Sequence, residues 1–223
     1  MEISKLTIYT SNIDSQLEFY RDELNFQIKD LSEKGFEVVA GYSRLRFEYK
    51  ENSTPYHIAF HVPDRQEKIV LQWLENIVPV LGYNDDVIID FPNWQAKSVY
   101  FYDKDKNIME FISRRDFKKG DAGIFSPSEI VGIAEVGLVT KNIEEKFEKL
   151  RLNCVLDKYD GDFDRFCAIG GDSGLIITIN NDKKDWFPTN DKAYSSEFKL
   201  EFRHDSKFFQ LEYGNEKLEI SEI

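Results

Sequence analysis

Helical and strand-like patterns of apolar residues repeat along the chain. Residues 10–14 include Asn12 and Asp14, either of which can cap a helix. The residues that follow are apolar at the spacing of one helix face: Leu17, Phe19, Tyr20 and Leu24. Residues 140–144 are followed in the same way by Phe147, Leu150 and Leu152. The pattern therefore predicts two equivalent helices far apart in the chain.

A third helix is predicted at 65–77, directly after a strand-like run at 57–62. Strand-then-helix pairs thus begin near residues 5, 57 and 135. Each helix is followed by three segments whose residues favour strands. These segments are 27–30, 36–40 and 44–49; 86–89, 98–102 and 108–112; and 154–159, 165–169 and 175–179. Each repeat is therefore predicted to be a βαβββ unit of roughly fifty residues.

The end of the chain offers strands but no helix, at 198–203, 208–213 and 217–220, which we interpret as a truncated fourth unit. Residues 117–127 are polar and rich in turn formers, and we interpret them as a linker. We predict an α+β fold of tandem βαβββ units in two domains. Residues 1–116 form one pair of units with a curved sheet around a cavity, and residues 128–223 form a second, degenerate pair.

Charge and composition narrow the range of partners and compartments. With a formal net charge of −12, the chain would be repelled by a phosphate backbone, so nucleic acid is not an expected partner. Neither a signal peptide nor an apolar run of the roughly 20 residues that a membrane helix needs is found. A cytoplasmic protein without a membrane partner is expected. Its two cysteines, Cys154 and Cys167, are predicted to be reduced, half-buried strand residues.

Four segments resemble one known superfamily. Residues 11–13 (S-N-I) and 17–26 (L-E-F-Y-R-D-E-L-N-F) resemble its opening pattern of S-D-L, a helix, and F-Y-R-D-x-L-G-F. Residues 57–62 (H-I-A-F-H-V) resemble the strand that opens its second module, and 99–111 resemble the hairpin that closes it. Residues 132–138 resemble the start of a further module. Over most of 1–180 the chain resembles the glyoxalase / bleomycin resistance protein / extradiol dioxygenase superfamily, also called the vicinal oxygen chelate superfamily.

The resemblance implies that two adjacent modules enclose a small-molecule cavity, with metal ligands on the first and last strands of each. In this chain those positions fall on Lys5, Glu48, His57 and Glu110. The implied ligands of a divalent metal (Fe, Zn, Mn or Ni) are His57, Glu110 and Glu48, which leave positions open for substrate oxygens. Whichever of Glu48 and Glu110 is not on the metal would serve as a catalytic base.

Lys5 departs from this pattern, because an ammonium has no lone pair to donate and is repelled by a divalent ion. Two interpretations stay open. Either the three remaining residues hold a metal while Lys5 turns away, or Lys5 replaces the metal's charge and pairs with Glu48 and Glu110. Alternation along the strands places further side chains on the same faces, which we expect to contact substrate: Tyr9, Arg44, Arg46 and His61.

The second pair of units offers no matching ligand set. Glu135 takes the position of Lys5, but Thr178 falls where Glu48 does and Phe198 where His57 does. Residues 128–223 are therefore interpreted as structural or as an interaction surface.

Two classes of function follow for a protein that is a monomer or a homodimer with a small-molecule ligand. The first is a lyase, isomerase or dioxygenase with an altered divalent-metal site that acts on a small oxygenated metabolite. The second is a metal-free protein of the bleomycin-resistance type that binds an antibiotic or metabolite. A cavity filled by side chains would instead indicate an interaction scaffold.

Overall fold

The computed structural model describes residues 1–120 and 123–223 and has an α+β fold that consists mostly of strands. The described residues include three α-helices: α1 (Ile13–Glu18), α2 (Glu67–Leu74) and α3 (Ile143–Cys154). The strands before α3 are β1 (Glu2–Thr10), β2 (Ile28–Ser32), β3 (Gly35–Ala40), β4 (Ser43–Tyr49), β5 (His57–Val62), β6 (Val80–Leu81), β7 (Ile89–Phe91), β8 (Ala96–Tyr102), β9 (Ile108–Arg114) and β10 (Gly132–Val139). Those after it are β11 (Lys158–Gly161), β12 (Phe166–Gly171), β13 (Gly174–Ile179), β14 (Phe198–His204), β15 (Lys207–Gly214) and β16 (Lys217–Glu222).

Most predicted strands are present, and one difference lies at the end of α3. The strand expected from residue 154 is wrong at its start, because α3 continues through Cys154 and β11 begins only at Lys158. Asn142 caps α3 by accepting a hydrogen bond from the Glu145 N–H, and Val155 ends it in a left-handed conformation. Cys154 therefore lies in a helix, whereas Cys167 lies in β12 as predicted. Both are free thiols, as predicted, but they are buried rather than half-buried.

The second repeat is the least regular of the three. α2 covers only Glu67–Leu74 of the predicted 65–77, and the two-residue strand β6 follows it. The strand predicted at 86–89 is displaced to Ile89–Phe91. None of the helices in the described ranges is long and apolar enough to cross a membrane. Asp121 and Ala122, part of the predicted linker, lie outside the described residues, and the division into two domains stays a prediction.

All strands belong to one hydrogen-bonded sheet whose centre is formed by three adjacent strands, β1, β10 and β5. The opening strands of the repeats pair antiparallel as β1 with β14 and β5 with β10. By contrast, β1 and β5 are separated by β10 in the order of the sheet. The first unit is thus joined to the fourth and the second to the third, which differs from the predicted pairing of the first unit with the second.

The opening strand of each of the first three units also pairs in parallel with the last long strand of its own unit: β1 with β4, β5 with β9, and β10 with β13. The apolar residues of these strands alternate towards the helices, as Leu45 and Phe47 of β4 do, both fully buried. A continuous apolar core results, in which α2 packs on β8 and β9 while α3 packs on β12 and β16. The other face of β5, β9 and β10 is left to line a cavity.

The two halves of the sheet meet at the fully buried Ser43. Its hydroxyl donates to the Ile3 carbonyl at 2.6 Å and accepts from the Ile133 N–H at 2.8 Å. Ile3 and Ile133 are paired in the antiparallel ladder between β1 and β10.

We expect Ser43→Ala to lower the free energy of unfolding by about 1–3 kcal/mol, because two buried backbone groups lose their partner. Urea denaturation measures the change. Ser221→Ala, on an exposed position of β16, is the control and should be neutral. Equal stability of the two variants would show that Ser43 does not contribute to the junction.

Candidate functional site

Three adjacent strands bring one histidine and two glutamates together. Ala59 of β5 is paired with Glu110 on one side and with Glu135 on the other. His57 lies two residues before Ala59 and therefore on the same face of the sheet. Because Ala59 has only a methyl group, the space between the two carboxylates stays open for the imidazole and for a ligand.

The three side chains are buried, with 5%, 2% and 3% of His57, Glu110 and Glu135 exposed. The His57 Nε2 atom lies 3.5 Å from Glu110 Oε2 and 3.9 Å from Glu135 Oε2. One donor atom from each residue falls within 4.8 Å of the other two, so the group could hold a metal ion.

The chemistry of the donors fits a divalent metal. The His57 Nδ1 atom lies 3.3 Å from the Ile108 carbonyl and donates its proton there, which leaves Nε2 as a lone-pair donor facing the carboxylates. The Ser98 hydroxyl donates to Glu110 Oε1 and leaves Oε2 towards the histidine. A neighbouring group thus orients both His57 and Glu110, as is common for the ligands of metal sites.

Burial and crowding within the cluster change the proton affinity of Glu110, His57 and Tyr100. Burial, and then the nearby charge of Glu135, raise the pKa of Glu110 to about 7. For His57, burial opposes the charged form, but the contacts with Glu135 and Glu110 outweigh it and raise the pKa. Burial and the same two carboxylates raise the pKa of Tyr100 well above its usual value, so its phenol stays protonated. The cluster therefore favours a bound proton or another cation.

Arg114 supplies a fixed positive charge behind the cluster. Its Nη2 atom donates to Glu135 Oε1 at 2.7 Å, and both side chains are buried. The guanidinium lies 5.4 Å from the ring centre of Trp94 and 5.8 Å from that of Tyr159. Arg114 thus holds one oxygen of Glu135 and leaves Oε2 to face His57.

The cluster opens into a cavity of about 380 Å³. This volume suits a small organic ligand. Six aromatic side chains form much of its wall: Phe91, Trp94, Tyr100, Phe166, Trp186 and Phe187. The Trp186 ring packs on His57 with 5.1 Å between ring centres, and Gly137 provides the space for that indole. The cavity is not filled by side chains, which argues against a pure interaction scaffold.

Lys5 and Glu48 lie elsewhere in the sheet. The Lys5 ammonium forms an ion pair with Glu37, and Glu48, whose side chain is 44% exposed, lies 3.5 Å from Arg46. Neither residue belongs to the metal-ligand group found among the described residues. Lys5 therefore does not pair with Glu48 and Glu110, and Glu48 is replaced by Glu135 beside His57 and Glu110.

The other predicted substrate residues also lie outside this cavity. Arg44 donates to the Ser43 carbonyl at 2.9 Å, and the Tyr9 ring lies 5.1 Å below the Lys50 ammonium. His61 is fully buried and stacks on Phe117 with 4.3 Å between ring centres. Burial, and then the charge of Arg114, lower the pKa of His61 to about 3, so this imidazole is neutral.

The register explains why Glu48 and Thr178 were wrong equivalents of Glu110. Glu110 pairs with Ala59, two residues after the opening His57. The residue two after Lys5 is Thr7, which pairs with Arg46, and the residue two after Glu135 is Gly137, which pairs with Ile177. Thr178 instead points away from the cavity and donates to the Cys167 carbonyl at 2.7 Å.

Glu135 was missed because the third unit was expected to pair with the fourth. Its position at the start of a unit was the available signal, since it corresponds to His57 in the second unit. The opening residues of the second and third units, His57 and Glu135, make up the group together with Glu110.

Comparison with known proteins gives a structural likeness but no sequence match. No family model matches the chain, and no curated protein matches it. A protein of Bacillus subtilis subsp. subtilis str. 168 described as a "putative dioxygenase" aligns with a TM-score of 0.62 and 12% identity, covering 100% of this chain and 84% of that one. Lactoylglutathione lyase from Agrobacterium tumefaciens aligns with 50% of this chain and 92% of its own, at a TM-score of 0.42 and 19% identity.

A glyoxalase / bleomycin resistance protein / dioxygenase from Nocardioides aligns with 55% of this chain and 90% of its own, at a TM-score of 0.41 and 16% identity. The match to the Bacillus subtilis protein extends over all four units. The chain therefore shares the fold of that Bacillus subtilis protein. An α+β fold built mostly of strands is what the sequence resemblance predicts.

The contact between Trp186 and Gly137 can be tested directly. A Cβ atom at Gly137 would lie 2.6 Å from Trp186 Cη2, so Gly137→Ala should push the indole away from His57. We expect a loss of about 1–3 kcal/mol in unfolding free energy and a shift in tryptophan fluorescence. Gly171→Ala, where an added Cβ meets nothing within 4 Å, is the matched control. Unchanged fluorescence in Gly137→Ala would contradict the packing described here.

The raised pKa of Glu110 predicts a pH dependence of stability in metal-free protein. The folded state binds this proton more tightly than the unfolded chain, so its contribution is present at low pH and lost as pH rises from about 4.5 to 7. His57, with a raised pKa, acts in the same direction. Urea denaturation in a chelator should therefore show lower stability at pH 8 than at pH 5.

Glu110→Gln should remove much of this dependence, a change on the order of 1–3 kcal/mol between the two pH values. Glu48→Gln, a half-exposed glutamate on β4, should keep it. If Glu110→Gln retained the full slope, the titration would have to be assigned to other groups.

Proposed function

We propose that the chain binds a divalent metal ion through His57 Nε2, Glu110 and Glu135, and acts on a small oxygenated molecule in the adjoining cavity. The observation that carries this proposal is the convergence of three buried donor atoms within 4.8 Å at the wall of a 380 Å³ cavity. One imidazole and two carboxylates suit iron, manganese, zinc or nickel.

The position in the third unit that corresponds to Glu110 in the second unit holds an apolar residue. Ile177, which stands where a further ligand would come from the third unit, lines the cavity and donates nothing. Three protein ligands leave room for ligand oxygens, and a bound metal would polarise those oxygens as a Lewis acid. A site of this kind would serve a lyase, an isomerase or a dioxygenase.

The remaining residues of the site hold and shield the reacting groups. Arg114 keeps Glu135 in place, and Ser98 does the same for Glu110. Trp186 covers one face of His57 and limits access of water to it. Tyr100, held protonated by its surroundings, can donate a hydrogen bond to a ligand oxygen.

A metal-free binding protein is the second candidate, and one observation favours it. The buried ion pair of Arg114 with Glu135 already neutralises part of the charge that a metal would balance. In that case the aromatic cavity binds its ligand without an ion. The original argument for this alternative, that Lys5 occupies a ligand position, is removed because Lys5 pairs with Glu37.

Metal content distinguishes the two candidates. We expect protein purified without chelator, or reconstituted with iron, manganese, zinc or nickel, to hold close to one ion per chain. His57→Ala and Glu135→Gln should lose it, because each removes a donor from a three-ligand site. Glu48→Gln is the matched control, since it is the same change on a glutamate of the neighbouring sheet region and should keep the metal.

The opposite outcomes are equally clear. No bound metal in wild-type protein after reconstitution would leave the metal-free binding protein as the function. Loss of metal in Glu48→Gln but not in Glu135→Gln would restore the ligand set predicted from sequence.

A further inference from the structure

A segment between β13 and β14 closes one side of the cavity and places Lys184 there. The Lys184 N–H donates to the Asn180 carbonyl at 2.9 Å, and two residues later Trp186 packs on His57. Phe187 reaches across to the second unit, where its ring lies 4.9 Å from that of Tyr83 and 6.0 Å from that of Phe91. Lys184 is thus held in the wall of the cavity.

The acidic groups that line the cavity all have partners of their own. Glu110 and Glu135 belong to the cluster, and Asp90 pairs with Lys97 at 3.5 Å. Asp160 accepts hydrogen bonds from the Trp94 indole and from the Gly161 N–H. None of these carboxylates is committed to Lys184.

Lys184 is the one lysine or arginine among the described residues that line the cavity. Its ammonium lies over Phe166, 5.9 Å from the ring centre, and no ion pair to a described carboxylate is formed. The adjacent Lys183, by contrast, points outwards and pairs with Asp164. Burial, followed by the charge of Arg165, lowers the pKa of Lys184, and no neighbouring carboxylate offsets this effect.

A half-buried ammonium without a counter-ion is a binding group for an anion. Placing an opposite charge beside it regains part of the solvation that burial removes. A single ammonium matches one negative charge, such as a carboxylate, whereas a phosphate would use several donors. The aromatic residues around it favour a flat, apolar body for the rest of the ligand.

We propose that the ligand of this cavity is a small planar carboxylate, bound with its carboxylate at Lys184 and its oxygenated end at the His57–Glu110–Glu135 cluster. The inference rests on the proposed function, because it assigns a ligand class to the same cavity. Lys184 acts here as a binding and specificity residue and takes no part in holding the metal.

Two isosteric probes that differ in charge test the inference: 3,4-dihydroxybenzoate and 3,4-dihydroxybenzamide. Isothermal titration calorimetry is run on wild-type protein, Lys184→Gln, Lys184→Arg and Lys183→Gln, with and without manganese. We expect wild-type protein to bind the acid about tenfold more tightly than the amide, the value of one charge-assisted contact.

Lys184→Gln should remove this preference and leave the affinity for the amide unchanged. A general loss of structure would instead lower the affinity for both probes. Lys184→Arg should keep the preference. Lys183→Gln, the neighbouring and already paired lysine, should behave as wild type.

Equal affinity of wild-type protein for the two probes overturns the inference, as does a preference that survives in Lys184→Gln. Failure of both probes to bind at millimolar concentration overturns it as well. The proposed metal function fails separately: a protein without metal that still prefers the acid through Lys184 would be a metal-free binder of carboxylates. A protein that holds metal but shows no preference would keep the metal function and lose this ligand class.

Discussion

The antiparallel ladder between β5 and β10 is the constraint on which the site depends. It places Glu135 beside Ala59, while the parallel ladder of β5 with β9 places Glu110 on the other side of the same residue. A shift of either ladder by one residue would turn a carboxylate to the opposite face of the sheet. The cluster therefore exists because two long-range pairings share one small residue, and the fully buried β10 fixes that register.

The sequence contained the local part of this arrangement. Alternating and helical patterns predicted the units, and the motif around 57–62 placed His57 on an opening strand. Contacts between strands far apart in the chain decide which units pair. The apolar patterns of β1, β5 and β10 are alike, so they do not indicate which of these strands are neighbours. The third ligand was therefore assigned to Glu48 within the first two units, although Glu135 of β10 lies beside His57 in the folded chain.

The face formed by the first and fourth units shows what the same architecture becomes without a ligand group. Lys5, at the position of His57, pairs with Glu37, and Arg46, at the position of Glu110, pairs with Glu48. On β14, Lys199 pairs with Glu212 of β15. Cations and carboxylates satisfy one another there, and the described residues of this face provide no set of converging donors for a metal.

The contrast between the two faces lies in how their charges are compensated. Around His57, one guanidinium faces two buried carboxylates, so the site is short of positive charge close to Glu110. At the other side of the cavity, Lys184 is short of negative charge. A metal ion at the first place and a carboxylate at the second would complete both. The two imbalances lie along the same cavity, so a planar ligand that bound such a metal ion through its oxygens would bring a negative charge at its other end to Lys184.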